Sequence, residues 1–284
     1  MAVDCIACKY DELLPSQANP SWNISLRDFN RAAMVLHQCW NEGSVVDYQH
    51  SDLWPDTPEQ GYAIQSLVAA LRKESVKGWK IAATAVAGRH HINVDRPLAG
   101  RLYESICHPD GAQLPFGRNR MAVAEAEFVF TLGKDLPSRE APYTDDEVAD
   151  SISSLHAGLE FPDSRFSDFR RPGTAGLIAD NACAANFVLG ESTEQPFDPQ
   201  QLAEHETALY INGEPVTTGR GGDALDGPLN ALVWIANTLS GLGTGLVKGQ
   251  FVTTGVTGLP SPVKAGDTIR ADLGKYGSAS AMLL

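Results

Sequence analysis

Ala124-Glu125-Ala126-Glu127-Phe128-Val129-Phe130-Thr131-Leu132 is a short run that alternates in polarity and is rich in Phe and Val. Such a run reads as a β-strand. Residues i and i+2 of a strand share a face. Glu125 and Glu127 therefore stand side by side, while Ala126, Phe128, Phe130 and Leu132 take the other face. Two carboxylates so close repel one another unless a positive charge lies between them, and a hard divalent cation answers that need. An isolated Glu-x-Glu also fits a solvated strand face, so the rest of the chain has to decide.

The chain has 284 residues, 43% hydrophobic and 20% charged, enough for one large domain or two small ones. Its net charge of −13 argues against a nucleic-acid partner, which needs clustered Lys and Arg. A small anionic substrate feels a local site, so it stays possible. No secretory signal and no apolar run of about eighteen residues is visible, so neither export nor a membrane span is expected. Five scattered cysteines, Cys5, Cys8, Cys39, Cys107 and Cys183, fit a reducing cytoplasm. Cys5 and Cys8 have no second Cys/His pair of matching spacing.

Residues 1–24 read as an extended arm. A helix is expected from Ser25, with Asp28 completing a capping box and Gly43 as the stop. A second follows Thr57-Pro58-Glu59. A third is capped by Thr144 and Glu147, carries Val148, Ile152 and Leu155, and runs to about residue 157. A fourth covers Pro228 to Leu239, and the chain from Leu246 onward reads as β. Helices gather early and strands late, an α+β arrangement. The expected division is an N-terminal arm and helical region over 1–76 and a catalytic domain over 77–284. Gly219-Arg220-Gly221-Gly222 lacks the spacing of a nucleotide loop, and there is no Gly-x-Ser-x-Gly elbow.

Further blocks follow in order. They are Gly78-Trp79-Lys80-Ile81-Ala82-Ala83-Thr84, Val94-Asp95-Arg96-Pro97, the two glutamates, Gly158-Leu159-Glu160-Phe161-Pro162-Asp163-Ser164-Arg165, Ala179-Asp180-Asn181-Ala182-Cys183, and Thr254-Gly255-Val256-Thr257. Together they resemble the 2-keto-4-pentenoate hydratase group of the fumarylacetoacetate hydrolase superfamily, which includes 2-oxohept-4-ene-1,7-dioate hydratases and 4-oxalocrotonate decarboxylases. The resemblance covers roughly residues 57–282. It implies N-terminal helices packed on a mixed, mostly β catalytic fold. It implies a Mg²⁺ or Mn²⁺ site of three carboxylates, mapped onto Glu125, Glu127 and Glu160, with Glu160 at the start of a strand. It also implies an active-site lysine and aspartate, mapped onto Lys80 and Asp95. Asp180, Asn181 and Thr257 are the candidate substrate-binding residues, with a cap or turn as the alternative for Asp180 and Asn181. Ala82 and Ala85 stand where the group has Gly and Ser, and Ala122-Val123-Ala124 lacks the group's proline. The added methyl groups beside Lys80 would narrow the pocket.

A 2-oxo acid offers a carboxylate and an adjacent carbonyl, a chelate for a hard cation that three protein carboxylates leave room to bind. The cation would act as a Lewis acid on the 2-oxo group. The leading expectation is a hydratase of a short 2-hydroxy-2,4-dienoate in aromatic meta-cleavage degradation. A decarboxylase of a 4-oxalocrotonate-type diacid is the alternative, and an acylpyruvate hydrolase or a non-catalytic partner subunit ranks below it. The resemblance also implies a homo-oligomer and, as a partner, a related decarboxylase or hydratase. Lys80, partly desolvated near a dication, would lose affinity for its proton and act as acid or base, with Asp95 orienting it or a water. Asp163 and Arg165 could pair with each other or support the site. His156 lies near Glu160 in sequence, but a hydrogen-bonded structural histidine is the simpler reading.

Overall fold

The computed structural model describes residues 26–49, 53–117 and 119–284. Six α-helices are described: α1 (Leu26–Glu42), α2 (Pro58–Arg72), α3 (Val86–His91), α4 (Asp145–Ala149), α5 (Gly173–Ala179) and α6 (Pro228–Gly241). The strands are β1 (Val76–Ala82), β2 (Leu98–Tyr103), β3 (Cys107–Pro109), β4 (Ala112–Leu114), β5 (Val123–Leu132), β6 (Ile152–Phe161), β7 (Asn186–Ser192), β8 (Glu206–Ile211), β9 (Glu214–Arg220), β10 (Phe251–Val256), β11 (Ser261–Pro262), β12 (Thr268–Asp272) and β13 (Ser278–Leu283).

The larger sheet runs β2-β1-β10-β5-β6-β7-β3, with β11 pairing to β5. It is mixed: β1 and β10 are parallel, while β10-β5-β6-β7 is antiparallel. The smaller sheet runs β4-β13-β12-β8-β9. Its strands β12 and β13 lie against β5, β6 and β7. The face of β5 carrying Ala126, Phe128, Phe130 and Leu132 is thereby buried in a core shared with Leu209, Ile269, Ala271, Ala279 and Ala281. The alternation of β5 thus assigns its even-numbered residues to the core between sheets and leaves its glutamates on the opposite face.

A second core joins α1 and α2 to α5, through Phe29, Leu36, Ile64, Val68, Leu177 and Ile178, and includes Trp54, Leu98 and Phe166. Helix α2 begins at its expected cap: Thr57 Oγ1 accepts from Gln60 N at 3.4 Å, with Pro58 in the first turn. Helix α1 stops before Gly43, whose φ of +61° suits glycine. The expected Ser25–Asp28 cap and the Cys5/Cys8 pair lie outside the described residues and side chains.

One expected helix is corrected. The Thr144–Glu147 capping box forms, but α4 ends at Ala149 and residues 152–161 are strand β6. Ser151 closes the helix, because its backbone N–H and its hydroxyl both donate to Val148 O, at 3.0 and 2.6 Å. Beyond it, antiparallel pairing with β5 on one side and β7 on the other supplies the ladder. Glu160 consequently stands near the end of its strand rather than at the start.

Candidate metal and catalytic site

Register brings the carboxylates together. Glu125 pairs with Glu160 across β5 and β6, and Glu127 pairs with Gly158. Cross-strand partners share a face, so Glu160 joins the two glutamates of β5. Each of the three offers a carboxylate oxygen within 4.8 Å of the others. Glu127 and Glu160 are fully buried and Glu125 is half-buried.

Strand β10 braces Glu127. Between Thr253 and Val256 its pairing with β5 is irregular, and Gly255 takes a φ of +99°. This bulge turns the Gly255 N–H onto Glu127 Oε2 at 2.9 Å, and Thr253 Oγ1 donates to the same oxygen. Gly255 also leaves room for Thr84, whose side chain occupies the space a Cβ would need. These two supporting groups escaped the sequence reading. The Thr254–Thr257 block marked the region, but no local pattern says that a bulge turns Gly255 toward a glutamate.

Lys80 enters from β1. Its Nζ lies 2.9 Å from Glu160 Oε1 and donates to Ala182 O at 2.9 Å, with the side chain 2% exposed. Strands β1 and β6 are three places apart, roughly 14 Å across a flat sheet. Lys80 and Glu160 close that span from opposite sides.

The donor set fits a hard dication. Glu127 Oε1 and Glu160 Oε2 are buried acceptors without a hydrogen bond, and Glu160 Oε1 meets only the Lys80 charge. Buried unpaired acceptors are costly, about 1–3 kcal/mol each. Once deprotonated, three carboxylates facing one ammonium would carry a negative excess that Mg²⁺ or Mn²⁺ would neutralise. Burial first, and then the Glu160 carboxylate, push the Glu125 carboxyl up to about 8. Burial, Glu160 and Glu125 raise Glu127 well above its ordinary range. For Lys80, burial favours the neutral amine, but Glu160, Glu125, Cys183 and Glu127 outweigh it and hold the proton more tightly than usual. Among the protein groups alone, the balance therefore runs opposite to the expected weakening.

The remaining candidates lie as follows. Thr257 is buried; its Oγ1 donates to Ala126 O at 2.9 Å and accepts from Thr207 Oγ1 at 2.8 Å. Asp95 is exposed and binds Thr174 Oγ1 at 2.6 Å and Arg96, which hold its carboxyl down to about 2. None of its hydrogen bonds reaches Lys80 or the glutamates. Asp163 and Arg165 do not pair with each other: Asp163 binds Arg120, and Arg165 binds Asp180. His156 bonds Thr131, Ser154 and Gly190 O as a structural histidine, and burial lowers its proton affinity. Ala82 is half-buried, follows Lys80 by two positions on β1 and so shares its face, and packs against the core that includes Ala182 and Cys183.

A largely buried tricarboxylate on one strand pair, with an ammonium set against it, is an arrangement that could hold a divalent cation on a mixed β fold. The family model for the fumarylacetoacetate (FAA) hydrolase C-terminal domain matches residues 85–283, and the chain belongs to this family. A 2-keto-4-pentenoate hydratase of Paraburkholderia xenovorans is 32% identical over 253 residues, 87% of this chain and 91% of that protein. One from Burkholderia vietnamiensis is 35% identical over 223 residues, 78% of this chain and 84% of the relative. Among solved structures, 4-oxalocrotonate decarboxylase from Pseudomonas putida G7, complexed with magnesium and adipate, superposes with a TM-score of 0.81. The match covers 92% of this chain and 99% of that one at 24% identity, a likeness of fold.

Proposed function

We propose that the chain is a divalent-cation-dependent hydratase. It adds water to a short 2-hydroxy-2,4-dienoate to give a 4-hydroxy-2-oxo acid, as its hydratase-named relatives suggest. The observation that carries this reading is the largely buried Glu125–Glu127–Glu160 cluster with Lys80 2.9 Å from Glu160. Glu125, Glu127 and Glu160 would hold Mg²⁺ or Mn²⁺, which when bound supplies Lewis acidity toward the 2-oxo group.

The chain's own groups then account for the proton traffic. The reaction needs a proton placed on the terminal carbon of the dienol as its 2-hydroxyl proton leaves. Water then adds at C4, and a proton goes to C3. Lys80, kept protonated by the carboxylates around it, is the donor at hand, and after donation the neutral amine can take a proton from water. Glu127, fixed by Thr253 and Gly255, keeps the carboxylate array rigid. Asp95 and Thr257 remain candidates for orienting a water and for substrate binding.

The test follows products after adding a 2-hydroxydienoate and, separately, a 2-oxohexenedioate, each with Mg²⁺. Formation of the 4-hydroxy-2-oxo acid from the first supports the hydratase. Release of CO₂ from the second, without hydration of the first, replaces it with the decarboxylase. In Glu127→Gln, or after exhaustive chelation, turnover is expected to fall at least about a hundredfold, since a lost ligand removes several kcal/mol of stabilisation. Unchanged turnover in either case excludes the mechanism.

Homo-oligomerisation, association with a related decarboxylase or hydratase, and a cytoplasmic setting belong to the same proposal. Among the described residues no helix is long and apolar enough to cross a membrane, and Cys39, Cys107 and Cys183 are free thiols. Light scattering of the purified chain, alone and mixed with such a partner, tests the assembly.

A further inference from the structure

Residues 181–183 form a turn in which Asn181, Ala182 and Cys183 all take left-handed backbone angles, with φ of +55°, +52° and +59°. Left-handed residues other than glycine usually occur singly. Three in succession carry strain, and such strain persists only where the surroundings over-determine it. The surroundings are on both sides. Before the turn, Asp180 is 2% exposed and its carboxylate is saturated. Oδ2 accepts from Ser164 Oγ at 2.6 Å and from Arg165 N at 3.0 Å, and Oδ1 accepts from Arg165 Nε at 2.5 Å. Arg165 also donates to the Asp180 and Ala184 carbonyls, at 2.5 and 2.7 Å, so it ties the two ends of the turn together. Within the turn, the Asn181 amide clamps the backbone of β2, accepting from Arg101 N at 2.7 Å and donating to Arg101 O at 2.8 Å. Next to Arg101, Gly100 has no room for a side chain, since a Cβ would lie 2.4 Å from Asn181 O. Gly100 is also the residue paired with Lys80 on β1.

What the turn presents is the Ala182 carbonyl, which accepts from Lys80 Nζ at 2.9 Å. Apart from Glu160, this is the contact that aims the amine. Asp180 and Asn181 therefore have their side-chain hydrogen-bonding groups engaged within the protein, and both sets of bonds end at one carbonyl. We propose that Asp180, Asn181 and Ser164 are positioning residues, which hold the strained 181–183 turn so that Ala182 O orients the Lys80 amine. This rests on the reading of Lys80 as the acid–base group, and it replaces substrate contact as the role of Asp180 and Asn181.

The test is a double-mutant cycle with Lys80→Met, which removes the group the turn acts through. In the native background, Asn181→Ala is expected to lower kcat by roughly 10- to 100-fold, the scale of a small misplacement of a reacting group. KM and Mg²⁺ affinity should stay within about twofold, because in this proposal the turn acts on the amine and not on substrate or cation. In the Lys80→Met background the same change should cost nothing further. Ser164→Ala removes only one bond to Asp180 and should give a smaller loss of kcat with the same dependence on Lys80. It decides the question if Asn181→Ala does not give a folded protein. Equal loss in both backgrounds overturns the proposal, as does a rise in KM at constant kcat, which would return Asn181 to substrate contact. A Lys80→Met protein with full turnover would instead sink the assignment of Lys80 itself, and the turn's role with it.

Discussion

Lys80 is held between opposing forces, and their balance decides its chemistry. Burial loosens its hold on the proton, but the Glu160, Glu125 and Glu127 carboxylates outweigh it, and the Ala182 carbonyl accepts a hydrogen bond from the amine. Taking the amine away while keeping the stem, as in Lys80→Met, is expected to slow the chemical step by about 10²–10⁴-fold. Mg²⁺ binding, measured by calorimetry in the same variant, should be retained, because the amine is not a ligand. A variant that loses cation binding as well would make Lys80 a structural residue. Glu125, Glu127 and Lys80 could each be singled out from sequence. The contrast between Lys80 and Asp95 could not, since both sit in blocks of similar resemblance. Only packing distinguishes a lysine 2% exposed from an aspartate on the surface beside Arg96.

At the level of elements, β5 and α2 are legible because their patterns are local: alternation in one, a capping residue and a proline in the other. Strand β6 is not. Val148, Ile152 and Leu155 fall at helical spacing, yet Leu155 packs between the sheets of a strand pair. Pairing with β5, a contact no local rule describes, overrides the periodicity. Gly158 exposes how tight that pairing is. A Cβ there would lie 2.5 Å from Phe187 Cζ and 2.6 Å from Val129 Cγ2. Gly158→Ala is therefore expected to destabilise the fold by about 1–3 kcal/mol, as overpacking of a filled core does. Urea denaturation measures it, and a change below about 0.5 kcal/mol would mean that the site face is looser than the geometry states.

For the whole molecule, the site couples folding to pH and to the cation. The Glu125 carboxyl rises from its ordinary 4.5 to about 8, through burial and then Glu160, and Glu127 is raised as well. Between those pH values the folded, cation-free chain holds protons that the unfolded chain has released. Its stability should therefore fall as pH rises from 4.5 to about 8. Mg²⁺ must displace the same protons, so it should bind more tightly as pH rises and release protons when it binds. The measurement is the Mg²⁺-induced increase in Tm at about pH 5.5 and about pH 8.5, with the larger increase expected at the higher pH. An equal increase at both would show that these carboxyls do not hold protons in the folded chain.

The sequence by itself determined which residues are candidates for the chemistry and which face of β5 Glu125 and Glu127 occupy. Alternation and helix caps are local rules, written within a few residues, and the order of six short blocks pointed to the family. Only the tertiary structure decided how the groups meet. Glu160 reaches Glu125 through cross-strand register, Gly255 turns an N–H onto Glu127 through a bulge, and residues 181–183 hand a carbonyl to Lys80 across 102 positions of chain. Each of these is a contact between segments far apart in sequence. Their existence depends on how two sheets and three helices pack, and no short stretch of residues encodes that packing on its own.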